Sequence, residues 1–170
     1  MANVIKIVDM IQLAESHPVY RALQEHFANK EKVFFEEFEK KSRELNAEIN
    51  TMRSGLTTNL SAESVDAQAK RLGQRKMMLE REFSVQQQKM HIIEQVVTGI
   101  TYDMIKNDLR TIMSAHESAV VIDVNACPFF TEAEDITSTV AEFLKNTKFD
   151  IENILQDAES KINKAMGKNE

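Results

Sequence analysis

Two apolar heptad seams constrain this chain more than any other feature in it. In the first, apolar residues fall at Tyr20, Leu23, Phe27, Phe34, Phe38, Leu45, Ile49, Met52 and Leu56. Gaps of three, four and seven place them on one stripe of an α-helix. The second stripe is Val65, Ala69, Leu72, Leu79, Phe83, Met90, Ile93, Val97, Ile100 and Met104. It continues, with a shift of phase, through Ile105, Leu109 and Ile112. Between the two, Gly55 to Leu60 breaks the pattern. Ser61 has the chemistry of an N-cap, and Leu60 and Val65 stand where a hydrophobic staple would close over it. Glu63 places negative charge in the first turn, where the helix dipole favours it. Folding the chain at this break pairs residues whose numbers sum to about 117. Tyr20 then faces Val97, Phe27 faces Met90, Phe34 faces Phe83, Phe38 faces Leu79 and Leu45 faces Leu72. Two unrelated helices have no reason to match like this. The pattern predicts a long antiparallel helical hairpin over residues 20–117, with its tip at about 55–61.

The flanks read differently. Residues 3–9 are β-branched and short, and predict a strand. Ser16-His17-Pro18 is a helix start, with Ser16 or His17 near the cap and Pro18 in the first turn. After the second long helix, expected over about 62–117, Ala119 to Val124 predicts a second strand. Asn125 to Glu134 reads as a loop containing Pro128. Asp135 to Leu144 reads as a short helix. In residues 146–170, Ile151, Leu155, Ala158, Ile162 and Ala165 share one face of a weak amphipathic helix. The fold class is therefore α+β and mostly helical. A long two-helix coiled-coil arm (20–117) stands on a small β-containing base (1–19 and 118–145), followed by a C-terminal extension (146–170). With no Trp, 4 Gly and 2 Pro, the composition suits long helices better than a turn-rich β fold. Two strands make no stable sheet alone, so the base is expected to need partner subunits.

Charge and chemistry narrow the function. The net charge of −6 is uneven: residues 20–117 carry 15 charges of each sign, and residues 118–170 carry five positive and ten negative. Nothing here makes a broad nucleic-acid footprint. The basic stretch Lys70, Arg71, Arg75, Lys76 and Arg81 reads as a solvated face partly neutralised by Glu80 and Glu82, or else as a contact for an acidic client or anionic lipid. A single cysteine, Cys127, excludes an internal disulfide and a Cys-based zinc site, and no base is implied beside it for nucleophilic catalysis. His17, His26, His91 and His116 are scattered and read as solvent-exposed. His26 and His91 also pair in the proposed register, but no further ligands for a metal are evident. No Walker-type phosphate loop is present. The reading is a non-enzymatic protein with no cofactor.

Some apolar residues fall off the seams: Val33, Phe35, Met77, Met78 and Val85. They either widen the hairpin seam, pack on another subunit, or touch an unfolded client, for which adaptable Met surfaces are suited. Gly99 sits inside the second helix, where Gly costs about 1 kcal/mol relative to Ala. It pairs with Pro18 at the root of the arm. Gly99 and Pro18 are candidates for a hinge, or Gly99 for close packing on the base.

The order of strand, long hairpin, strand and Asp-Ile-Thr helix resembles the Skp/OmpH family of periplasmic chaperones for outer-membrane proteins. Lys6-Ile-Val-Asp-Met10 is similar to the family's first strand. Val120-Val-Ile-Asp-Val-Asn-Ala126 is similar to its strand ending in Asp-x-Asn-Ala, with Asp123 and Asn125 at the motif positions. Asp135, Ile136, Thr137 and Val140 match its closing Asp-Ile-Thr-x-x-Val. The likeness covers about residues 4–145, the arm by architecture more than by identity. It implies a homotrimer whose β base holds three arms around a cavity. Unfolded outer-membrane proteins are held there without ATP. Family arms are often strongly basic, whereas this one sums to zero, so no lipopolysaccharide or membrane site is carried over. The resemblance implies a periplasmic location. No secretory signal is visible, since Val4 to Val8 is interrupted by Lys6 and too short for an h-region. The chain then reads as cytosolic, or as a mature form with Met1-Ala2 in place of its leader. A coiled-coil scaffold or adaptor without chaperone activity is the competing reading.

Overall fold

A computed structural model describes residues 4–54, 62–114, 119–127, 129 and 135–167. The expected tip at 55–61, with its Ser61 cap and Leu60 staple, lies outside the described residues. So do Asn3, His116, Pro128 and most of the loop before Asp135. The chain divides into two compact units, Met1–His26 with Ile92–Glu170, and Phe27–His91.

The first unit is built around a two-stranded parallel sheet. β1 (Val4–Val8) is a run of β-branched residues around Lys6. β2 (Ala119–Asp123) pairs with it in parallel, from Val4↔Ala119 through Val8↔Asp123. Parallel neighbours need a long crossover, and here the crossover contains every residue of the predicted hairpin. Asp9 ends β1. Its carboxylate accepts the N–H groups of Ile11 and Gln12, both at 3.0 Å, and so caps a helix that the sequence reading did not anticipate, α1 (Met10–Ser16). At seven residues α1 is too short to be stable in isolation. It forms because Met10, Leu13 and Ala14, at helical spacing, are buried in the core.

Pro18 opens α2 (Pro18–Arg53), at the one helical position where its missing N–H costs nothing. α3 (Ala62–Ser114) is 53 residues long against 36 for α2, or roughly 80 Å against 55 Å at 1.5 Å per residue. After β2, Asp123 accepts the N–H of Asn125 and caps a short 3-10 turn over Val124–Ala126. α4 (Thr137–Leu144) begins later than expected because Asp135 and Ile136 pair with the second edge of β1. The Ile136 N–H donates to the Ile7 carbonyl at 2.9 Å. α5 (Ile151–Ala165) begins at Asp150, whose carboxylate accepts the N–H groups of Glu152 and Asn153. Gly167, at φ 69°, closes it in the left-handed conformation common after helix ends.

Val8, Met10, Leu13, Ala14, Ile105, Leu109, Val140 and Leu144 form one buried cluster, with Val121 and Ile136 packed against it. Full burial of each large aliphatic side chain there is worth about 1.5–3 kcal/mol. Alternation along the strands puts Val8 and Val121 on the core side. Ile5 and Val120 take the opposite side, where they are about half exposed.

The second unit contains the remainder of the two long helices. Leu45 and Leu72 are both buried, as residues of the two seams should be. Most other seam residues are half-buried, because a layer of two helices covers each residue from one side only. The Phe83 ring lies 5.0 Å from Phe38 and 6.0 Å from Phe35. The residue-sum register expected Phe34 opposite it. Phe34 instead stacks on Phe38 at 6.1 Å. Large rings enter the gaps between their partners rather than meeting head-on, which shifts the contacts along α2. Lys41 pairs with Glu82 at 3.2 Å, and Arg75 with Glu48, joining α2 to α3. Both pairs are about half exposed, so they contribute to register more than to stability.

Candidate functional site

The off-seam apolar residues all lie in the second unit. Val33 is 55% exposed, Met77 70% and Met78 65%, with Val85 at 38%. On α3, Met78 and Val85 stand seven residues apart and so share a face. Met77 sits on the adjoining face, exposed like its neighbours Lys76 and Glu80, which pair with each other at 3.8 Å. Phe35 behaves differently. It is half-buried, edge-on to Phe34 at 5.7 Å and to Phe83 at 6.0 Å. Its ring widens the aromatic seam while part of it still faces solvent. Phe34, Phe35, Phe38 and Phe83 form one aromatic block. The wet apolar side chains near it in sequence are aliphatic or thioether, which adapt readily to different shapes.

The family-motif residues lie in the first unit and connect its elements. Asp123 Oδ1 accepts both the backbone N–H and the side-chain amide of Asn125, at 3.0 Å each. Asp135 Oδ1 accepts the N–H of Thr137 at 2.8 Å and its hydroxyl at 2.6 Å. Thr137 Oγ1 in turn accepts the N–H of Asp9 at 2.8 Å. Ile136 pairs with β1, and Val140 is in the core. Asp135, Ile136 and Thr137 thus tie the start of α4 to β1 and Asp9, while Asp123 and Asn125 shape the turn after β2.

Pro18 is the first residue of α2, as expected. At Gly99 an added Cβ would meet nothing within 4 Å, so close packing does not explain this glycine. His17 departs from its expected exposure. It is fully buried beside Asp108, and burial, partly offset by that carboxylate, lowers its pKa below the usual histidine value. His26 lies 3.5 Å from Glu159 of α5. The Cys127 thiol donates to the Phe129 carbonyl at 3.3 Å. Among the described residues no helix is long and apolar enough to cross a membrane, and no cluster of His, Cys, Asp and Glu is arranged to hold a metal.

An open groove of about 440 Å³ is lined by Val8, Met10, Tyr102, Leu109 and Val121, with the charged Lys106, Arg110 and Asp123 also lining it. Burial, and then the carboxylates of Asp123 and Asp9, push the Tyr102 hydroxyl's pKa up, so it stays neutral.

The family model for outer membrane protein (OmpH-like) matches residues 4–144. The chain belongs to the OmpH-like family. That span takes in the sheet, both long helices and α4, and stops short of α5. The crystal structure of a candidate outer membrane chaperone (OmpH-like) from Caulobacter crescentus superposes with a TM-score of 0.74 at 19% identity. The alignment covers 88% of this chain and 90% of that one. At that identity the likeness shows the fold: a mostly helical OmpH-like chain with a small two-stranded sheet. No curated protein matches the chain.

Proposed function

We propose that this OmpH-like protein is a chaperone that holds unfolded outer-membrane proteins and keeps them from aggregating, without ATP and without enzymatic chemistry. One observation carries the reading: Val33, Met77, Met78 and Val85 stay exposed on a helical hairpin whose seam is already filled by its own aromatic and leucine side chains. A soluble arm gains nothing from wetting such residues, whereas a client offering unfolded apolar segments covers them. Flexible thioethers and valines hold many sequences weakly and impose no structure on them. Family membership, and the chaperone description of the Caulobacter relative, point the same way.

The working form is a homotrimer in the periplasm. The half-exposed Ile5 and Val120, together with a β2 that among the described residues has β1 as its one neighbour in the sheet, offer an apolar face and a strand edge for partner subunits. Gly99, a helical glycine with open space around its Cα, and Pro18, at the start of α2, give the root of the arms its flexibility.

Dilution of a urea-unfolded outer-membrane barrel into buffer tests this reading, with light scattering followed in parallel with native mass. The protein should suppress scattering as a trimer, with no nucleotide present. A scaffold would leave scattering unchanged, and a monomer that fails to suppress it overturns the proposal.

A further inference from the structure

The imidazole of His17 is fully buried where α1 ends and α2 begins. Its Nδ1 accepts the backbone N–H of Val19 at 3.1 Å. Pro18 has no N–H, so Val19 carries the first donor of α2 that needs a partner. The ring therefore does the work of an N-cap side chain. The His17 main chain serves both helices as well. Its N–H donates to the Ala14 carbonyl of α1, and its carbonyl accepts the N–H of Arg21 in α2.

A nitrogen that accepts a hydrogen bond carries no proton, so the neutral ring keeps its single proton on Nε2. Nε2 lies 3.9 Å from Oδ2 of Asp108 on α3. That distance is beyond a hydrogen bond, and among the described residues both atoms are buried without a hydrogen-bond partner. A second proton has one place to go, Nδ1. It would remove the acceptor for Val19 and set two N–H groups against each other, while turning the Asp108 contact into an ion pair. Glu15 on α1 and Arg21 on α2, the charged neighbours in sequence, are exposed. Asp108 is the charged group that acts on the ring.

We propose that His17 is a proton-released cap: the neutral ring ties α1 to the first turn of α2, and its protonation frees that turn while drawing the ring toward Asp108. Burial disfavours the charged ring more than Asp108 favours it, so the folded chain resists the proton more than the unfolded chain does. The cap's contribution is complete above about pH 6.5, the ordinary histidine value, and is lost as the pH falls below it toward the lowered folded value.

Residue-resolved amide exchange and imidazole NMR on the full chain, from pH 7.5 to 4.5, test the proposal. The neutral Nε2–H tautomer should be seen at pH 7.5. On acidification the Val19 amide, corrected for its intrinsic exchange rate, should lose about tenfold protection relative to Leu23, in step with the His17 titration. His17→Asn, a cap that does not titrate, should hold Val19 protection flat with pH. Asp108→Asn should move the transition to lower pH. Val19 protection that stays constant through the His17 titration overturns the proposal, and this wild-type measurement decides the matter even if either variant fails to fold.

Discussion

Thr137 Oγ1 accepts the backbone N–H of Asp9 at 2.8 Å, across 128 residues of chain. The same hydroxyl donates to Asp135, and Asp9 caps α1. One buried threonine thus joins the end of β1, the start of α1 and the start of α4. Thr137→Val keeps the shape and removes both bonds, leaving the Asp9 N–H unpaired. It should cost about 1–3 kcal/mol in chemical denaturation, whereas Thr137→Ser, which keeps the hydroxyl, should cost less than about 1 kcal/mol. Equal losses for the two variants would show that the hydroxyl contributes little.

Phe83 is the aromatic of α3 that packs against both Phe35 and Phe38. The block is half-buried, so Phe83→Ala should destabilise by about 2 kcal/mol, below the usual range for a fully buried ring. Phe83→Leu should recover most of that. Thermal unfolding followed by circular dichroism reads both.

Gly99→Ala should stabilise α3 by about 0.5–1 kcal/mol, since the new methyl group meets open space and Ala is the better helix former. If Gly99 serves as a hinge, the same change should raise amide-exchange protection around it and slow client capture. Raised stability with unchanged capture would leave Gly99 without a hinge role.

α5 lies beyond the residues matched by the family model, yet Ala158 and Ile162 are fully buried. Ile162→Ala should cost about 2–4 kcal/mol. Lys161→Ala, which breaks a half-exposed pair with Asp157, should change stability by less than about 0.5 kcal/mol. Equal small effects would mean the extension is not a structural part of the base.

The heptad spacing made the two long helices and Leu45 and Leu72 of their seam legible from the sequence, because each helix repeats one local rule over many turns. α1 was not legible. Asp9, Met10, Leu13 and Ala14 form a short cap-and-stripe signal, but seven residues become a helix only when the core accepts them. The pairing of Asp135 and Ile136 with β1 depends on a contact distant in sequence, which no local pattern carries. Phe35, which the spacing placed off the seam and left open between widening it, packing on another subunit and touching a client, is shared with the seam because ring size shifts the contacts of Phe83. The burial of His17 was hidden for a related reason. A histidine before a proline signals a helix start, but only the packing of α3 places Asp108 beside it.

The most direct test of the account is affinity for an unfolded outer-membrane barrel, compared between the wild type and Met77→Ser/Met78→Ser. Both methionines are largely exposed, so the variant should keep its fold and mass. Covering them with client should be worth about 1–2 kcal/mol, a loss of roughly five- to thirtyfold in affinity when they are replaced. Undiminished affinity in a folded variant would contradict the assignment of client binding to the exposed methionines of the hairpin.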